Sequence, residues 1–174
     1  MTEIIMNSIA KFGMIAAASG FLLASIAPAE AGRVSARNGK GSSAAAGSVN
    51  GNTWARGRGT MTNSNGSTTS VSGGGFKAAN GATGARASTA TVNPDGSATR
   101  SGGFATSGAR GSAASQGSST RNADGSYSGS RTSTATNAAT GNSYNGSTTY
   151  DSTNGASRTA TCSDAAGNVI ACPR

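Results

Sequence analysis

One turn, written four times, constrains this chain more than any other feature. Asn63-Ser64-Asn65-Gly66-Ser67, Asn93-Pro94-Asp95-Gly96-Ser97 and Asn122-Ala123-Asp124-Gly125-Ser126 are near copies, and Asp151-Ser152-Thr153-Asn154-Gly155 is a looser version. The glycines of these turns are 30, 29 and 30 residues apart. Softer glycine turns fall between them, near Gly81, Gly108 to Gly111, and Gly141. The chain therefore reverses about every 15 residues and alternates two kinds of turn, which marks a repeat architecture.

The chemistry of the turn predicts strands on either side of it. In Asn93-Pro94-Asp95-Gly96, Asn bonds locally, Pro presets φ, Asp suits the third position and Gly accepts a positive φ. The expected form is a type I turn with a glycine bulge, placing Asn93 opposite Ser97 and Val92 opposite Ala98. The flank alternates as a strand does: Ser88, Ala90 and Val92 share one face, Thr89 and Thr91 the other.

Large apolar side chains are too few for an ordinary globule. Leu22 and Leu23 are the only leucines, and Ile170 is the only isoleucine after residue 31. Burying one such side chain is worth roughly 1.5–3 kcal/mol, against roughly 1–2 kcal/mol to order each residue. Either backbone pairing and small-residue packing carry the fold, or much of the chain is disordered. The expectation is an all-β, repetitive antiparallel β-meander of strand-turn units. The alternatives are a β-solenoid with about 30 residues per coil and a largely disordered low-complexity chain. A meander would line the Asn-x-Asp-Gly turns along one end of the strands and the softer turns along the other.

Four segments follow from the composition. Residues 1–31 read as a secretory signal: Lys11, an apolar run from Phe12 to Ala27, Pro28, then Ala29-Glu30-Ala31 with small residues where a signal peptidase reads, so that the mature chain begins at Gly32. The run is shorter than the roughly 20 residues of a membrane span, so no stable transmembrane anchor is expected. Residues 32–59, rich in Gly, Ala, Ser and Arg without a clear period, read as a flexible segment. Residues 60–161 hold the β-repeat. Residues 162–174 form a hairpin in which Cys162 and Cys172 pair across a turn, directly or diagonally, in the oxidising compartment that a signal implies.

Charge narrows the class of partner. Beyond residue 31 the acids are Asp95, Asp124, Asp151 and Asp164, against a basic set that is almost all Arg. The chain's formal charge is +8. A basic surface favours anionic polysaccharide, lipopolysaccharide or nucleic acid. Arg56 and Arg58 beside Trp54 resemble Arg-Gly segments that bind nucleic acid by charge and stacking. Arg86, Arg100, Arg110, Arg121 and Arg131 are the other candidate contacts.

Catalytic chemistry is missing from the sequence. There is no histidine to serve as a base for the many serines. The four aspartates sit in or beside turns, where they bond backbone, and two cysteines without histidine do not make a metal site. No cofactor motif is present. The reading is an exported, non-enzymatic structural or adhesive protein, secreted, surface-bound or periplasmic, of bacterial style, assembling with copies of itself edge to edge. The alternative is a secreted binder of polyanions.

Overall fold

The computed structural model describes residues 32–38 and 41–172, with side chains from Gly41 onward. Ala29 and Ala31 of the expected cleavage site lie outside the described residues, and Gly32 opens the first strand. Among the described residues no helix is long and apolar enough to cross a membrane.

The chain is an antiparallel meander. Its strands are β1 (Gly32–Asn38), β2 (Ser42–Val49), β3 (Asn52–Thr62), β4 (Thr68–Lys77), β5 (Thr83–Val92), β6 (Ala98–Gly108), β7 (Gly111–Arg121), β8 (Tyr127–Asn137), β9 (Ser143–Asp151), β10 (Gly155–Ser163) and β11 (Val169–Ile170). They form one sheet in chain order, each strand pairing with the next. This excludes the solenoid, whose strands pair between coils, and the disordered chain.

The turns set the register. Asn93 N–H donates to the Ser97 carbonyl (2.9 Å) and Gly96 N–H to the Asn93 carbonyl (3.0 Å), and Val92 pairs with Ala98, as the sequence implies. The turns at Asn63 and Asn122 close identically. The turns holding Gly66, Gly96, Gly125 and Gly155 share one end of the strands; those at Gly81, Gly108 to Gly111 and Gly141 share the other. The two kinds of turn are less distinct than their sequences suggest. Ala78 to Ala82 makes the same pair of backbone bonds, and Ala82 N–H donates to Asn80 Oδ1 at 3.1 Å.

The segment 32–59 differs from the flexible one expected: residues 32–38 form β1, and residues 42–59 form β2 and most of β3, joined in register. The reason is Asn50-Gly51, a two-residue connection with φ of 49° and 75°. That is the mirror-image turn whose twist suits a hairpin, and it seeds pairing where the 15-residue period is missing.

The sheet is a single layer. Sheets are usually covered by a second layer that buries one face. Here, among the described residues, only Ala55, Cys162, Ser67 and Ser115 have side chains that are buried. Backbone ladders and cross-strand hydroxyl pairs hold it, such as Thr69 Oγ1 with Thr91 Oγ1 at 2.9 Å and Ser72 Oγ with Ser88 Oγ at 2.8 Å. Aromatic rings supplement them by lying over glycines directly opposite: Trp54 over Gly47, Phe76 over Gly84 and Tyr150 over Gly129.

The Cys162–Cys172 disulfide is present, with Cα atoms 5.2 Å apart. Cys162 stands opposite Ile170, so the bond runs diagonally, two residues beyond the ladder. The disulfide fits a non-reducing, extracellular type of environment.

Candidate functional site: an arginine face with a glycine-floored groove

Residues directly opposite in an antiparallel ladder point to the same face. Following the register from strand to strand gives each face its composition. Arg56 and Arg58 of β3 share a face with Arg86 of β5, Arg100 of β6, Arg121 of β7, Arg131 of β8 and Arg158 of β10. The same face carries Trp54, Phe76, Phe104, Tyr127, Tyr144 and Tyr150. No described acid is on it: Asp95, Asp124 and Asp164 are in turns and Asp151 is on the opposite face. All seven arginines are exposed.

Some of these guanidinium groups are held within the chain. Arg56 lies 5.7 Å from the Trp54 ring centre, Arg58 Nε donates to Ser43 Oγ (3.2 Å), and Arg158 donates to the Tyr144 hydroxyl (3.2 Å). The packing of Arg56 on indole adds cation–π attraction. Among the described residues no ion pair forms, so the seven positive charges stay uncompensated.

At the middle of this face the sheet carries an open groove of about 720 Å³. Gly102 and Gly117, directly opposite each other on β6 and β7, make its floor, and Arg86, Arg100, Arg131, Phe104 and Tyr150 border it. Neither glycine can be replaced without moving backbone: a Cβ at Gly117 would lie 2.6 Å from the Ser130 carbonyl oxygen, and one at Gly102 2.9 Å from that of Ala87. The three arginine Cα atoms are spaced about 12–16 Å apart by strand geometry. Guanidinium forks grip phosphate, sulfate or carboxylate with paired hydrogen bonds. The flanking rings offer flat apolar surface to a sugar or base.

The candidate contacts Arg56, Arg58, Arg86, Arg100, Arg121 and Arg131 are thus brought together. Arg110 is not: it sits in the Ala109-Arg110 turn at a strand end, its carbonyl accepting from Ala138 N–H at 3.0 Å. Arg158 and the tyrosines were missed by sequence reasoning; the alternation of Tyr144, Thr148 and Tyr150 at even positions was the available signal. The turn residues form a separate set. Asp95 and Asp124 accept from Ser97 N–H (2.8 Å) and Ser126 N–H (2.9 Å), Asn65 takes the same role toward Ser67, and Asp151 caps Thr153 and Asn154. These bonds hold each carboxyl below the usual range: for Asp95 chiefly the Ser97 side chain, for Asp124 the Ser126 side chain, for Asp151 the Asn154 backbone, for Asp164 the Asn168 side chain. Groups so committed are turn-builders.

No family model, curated protein or solved structure matches this chain in comparison.

Proposed function

We propose that the protein is an exported, non-enzymatic surface protein that holds acidic polymers against the arginine face. The observation that carries this is the gathering of seven arginines on one face without an acid among them. A field of one sign over a flat surface concentrates polyanions, and a groove bordered by unpaired guanidinium groups and rings gives them a seat. Anionic polysaccharide, lipopolysaccharide and nucleic acid share the required chemistry, a chain of repeated anionic groups. Export rests on the apolar leader and on the disulfide.

The test is binding of a sulfated polysaccharide and of single-stranded DNA, titrated with salt. Charge-driven affinity falls steeply between about 50 and 200 mM salt. Arg100→Ala with Arg131→Ala should weaken binding about tenfold or more, on the order of one lost charged contact each, while Arg110→Ala should not. Binding indifferent to salt and to the double variant would sink the reading.

A second reading, a structural protein that assembles edge to edge, has its own support. β11 pairs only with Cys162 and Ser163, so that among the described residues no strand lies along the outer side of residues 155–161 in β10. Such an edge accepts another strand. Filaments of purified oxidised protein at high salt, seen by electron microscopy, would favour it.

A further inference from the structure

The face opposite the arginines has a composition of its own. Among the described residues its only charged ones are Lys77 and Asp151, each the last residue of its strand. Between them lie rows of like residues running across the strands. One row is Ala46, Ala55, Gly75, Ala85, Ala105 and Ala114, in consecutive register from β2 to β7. The next row, two residues along each strand, is Ala44, Gly57, Gly73, Ala87 and Gly103, closed on β7 by Gln116. The first is a low ridge of methyl groups; the second is a furrow.

We infer that this face is the interface of a back-to-back dimer, with a second copy of the same chain as the occupant. Three observations converge. A two-fold axis running along the rows, between ridge and furrow, sets Ala55 and Ala105 of each copy over the partner copy's Gly57 and Gly103, and Ala46 and Ala85 against its Ala44 and Ala87, so that small residues meet small residues across a symmetric pair. The strands cover about 30 Å by 40 Å, a footprint above the roughly 800 Å² per partner of a stable interface. Charge selects the side. Two arginine faces repel each other, whereas the opposite faces bring together only the strand-end Lys77 and Asp151 of each copy. Rows of small side chains let two sheets approach closely, as in the zippers between stacked sheets. The product is a two-layer sandwich with an arginine face on each exterior, so one particle engages two polymer segments and gains avidity. The dimer does not depend on the polymer-binding reading.

The test is sedimentation equilibrium of the full oxidised chain, at 50 mM and 1 M salt. A dimer insensitive to salt is expected. Ala85→Lys with Ala105→Lys places like charges into both halves of the interface and should raise the dissociation constant at least 100-fold. Thr106→Lys, an equally exposed strand position on the arginine face, should leave the dimer intact. Gly57→Leu fills the furrow and guards against a folding artefact. A Cβ there meets only the Ser43 carbonyl oxygen, at 3.7 Å, so the monomer accepts it, and the dimer should be lost with an unchanged far-UV spectrum. A wild-type monomer at 100-micromolar order of concentration, a dimer that survives both the double variant and Gly57→Leu, or one that Thr106→Lys dissolves, would overturn the proposal. Polymer binding by a monomeric double variant would leave the arginine face standing by itself.

Discussion

Trp54 lies over Gly47, the residue directly opposite it on β2, and occupies the space that a side chain at Gly47 would need: a Cβ there would be 2.8 Å from the indole Nε1. The pairing works in both directions. The ring shields a backbone that no side chain covers, and the glycine gives a large ring a place to lie flat in a sheet that has no second layer. Phe76 with Gly84 and Tyr150 with Gly129 repeat the device.

Two glycine-to-alanine changes should therefore differ in cost. At Gly84 the added methyl meets the Phe76 ring, which is 44% exposed and free to swing outward. The expected loss is about 1 kcal/mol, the ring contact and little else. At Gly103 the methyl meets the Ser115 carbonyl oxygen at 2.6 Å, and β6 and β7 must part. Overpacking against fixed structure costs about 1–3 kcal/mol. Urea midpoints of Gly84→Ala and Gly103→Ala decide it; equal losses would mean that the ring is as fixed as the backbone.

Asn50 and Gly51 carry the hairpin that joins β2 to β3, with φ of 49° at Asn50. Asn50→Gly should be tolerated. Asn50→Val should cost about 1–2 kcal/mol, because a β-branched residue resists the left-handed region. Amide exchange should localise that loss to β2 and the first half of β3, with β6 to β8 unaffected.

Reduction of Cys162–Cys172 should release β11 before any other strand. The bond closes a loop of separation 10, and such a constraint is worth about 2–3 kcal/mol. Only two residues pair in the β10–β11 ladder, so the pairing does not persist without it. Cys162→Ser with Cys172→Ser should raise amide exchange at residue 162, Asp164 and Ile170, whose N–H groups face across the β10–β11 hairpin, and lower the Tm, while the β5–β8 ladders keep their protection.

Acid should weaken the turns as a group. The carboxyls of Asp95, Asp124, Asp151 and Asp164 are held below their unfolded values by hydrogen bonds. Their contribution is therefore complete above the unfolded value of about 3.9 and is lost as pH falls through the lowered native values. With no histidine in the chain, the Tm should be level from about pH 5 to 7 and fall below about pH 4. Asp95→Asn with Asp124→Asn retains the accepting oxygen, as Asn65 already does at the matching place in its turn. That variant should flatten the acid decline, and an unchanged decline would place its origin elsewhere.

Turn residues made the fold legible in the sequence. Asn93-Pro94-Asp95-Gly96 has few backbone options, so hairpin, register and the alternation of strand ends followed from local chemistry. The Cys162–Cys172 bond was legible for the same reason, two cysteines flanking one turn. The β2–β3 hairpin was not, because a lone Asn50-Gly51 outside the period is a short signal among many small residues.

What the sequence by itself determined is where the chain reverses, and with it a meander of strands. Which arginines stand together was decided only by the tertiary structure, through the length of each turn. Arg86 and Arg100 keep even numbering across the Asn93–Ser97 turn because its paired ends sum to an even number. The Ala109-Arg110 connection pairs Gly108 with Gly111 and switches the arginine face to odd positions, Arg121 and Arg131. The loop from Asn137 to Asn142 switches it back, to Tyr144, Tyr150 and Arg158. Side chains alternate with a period of two, so one residue more or less in either loop would send every later arginine to the opposite face. A face is a sum of registers over many strands, and no local stretch of the chain contains it.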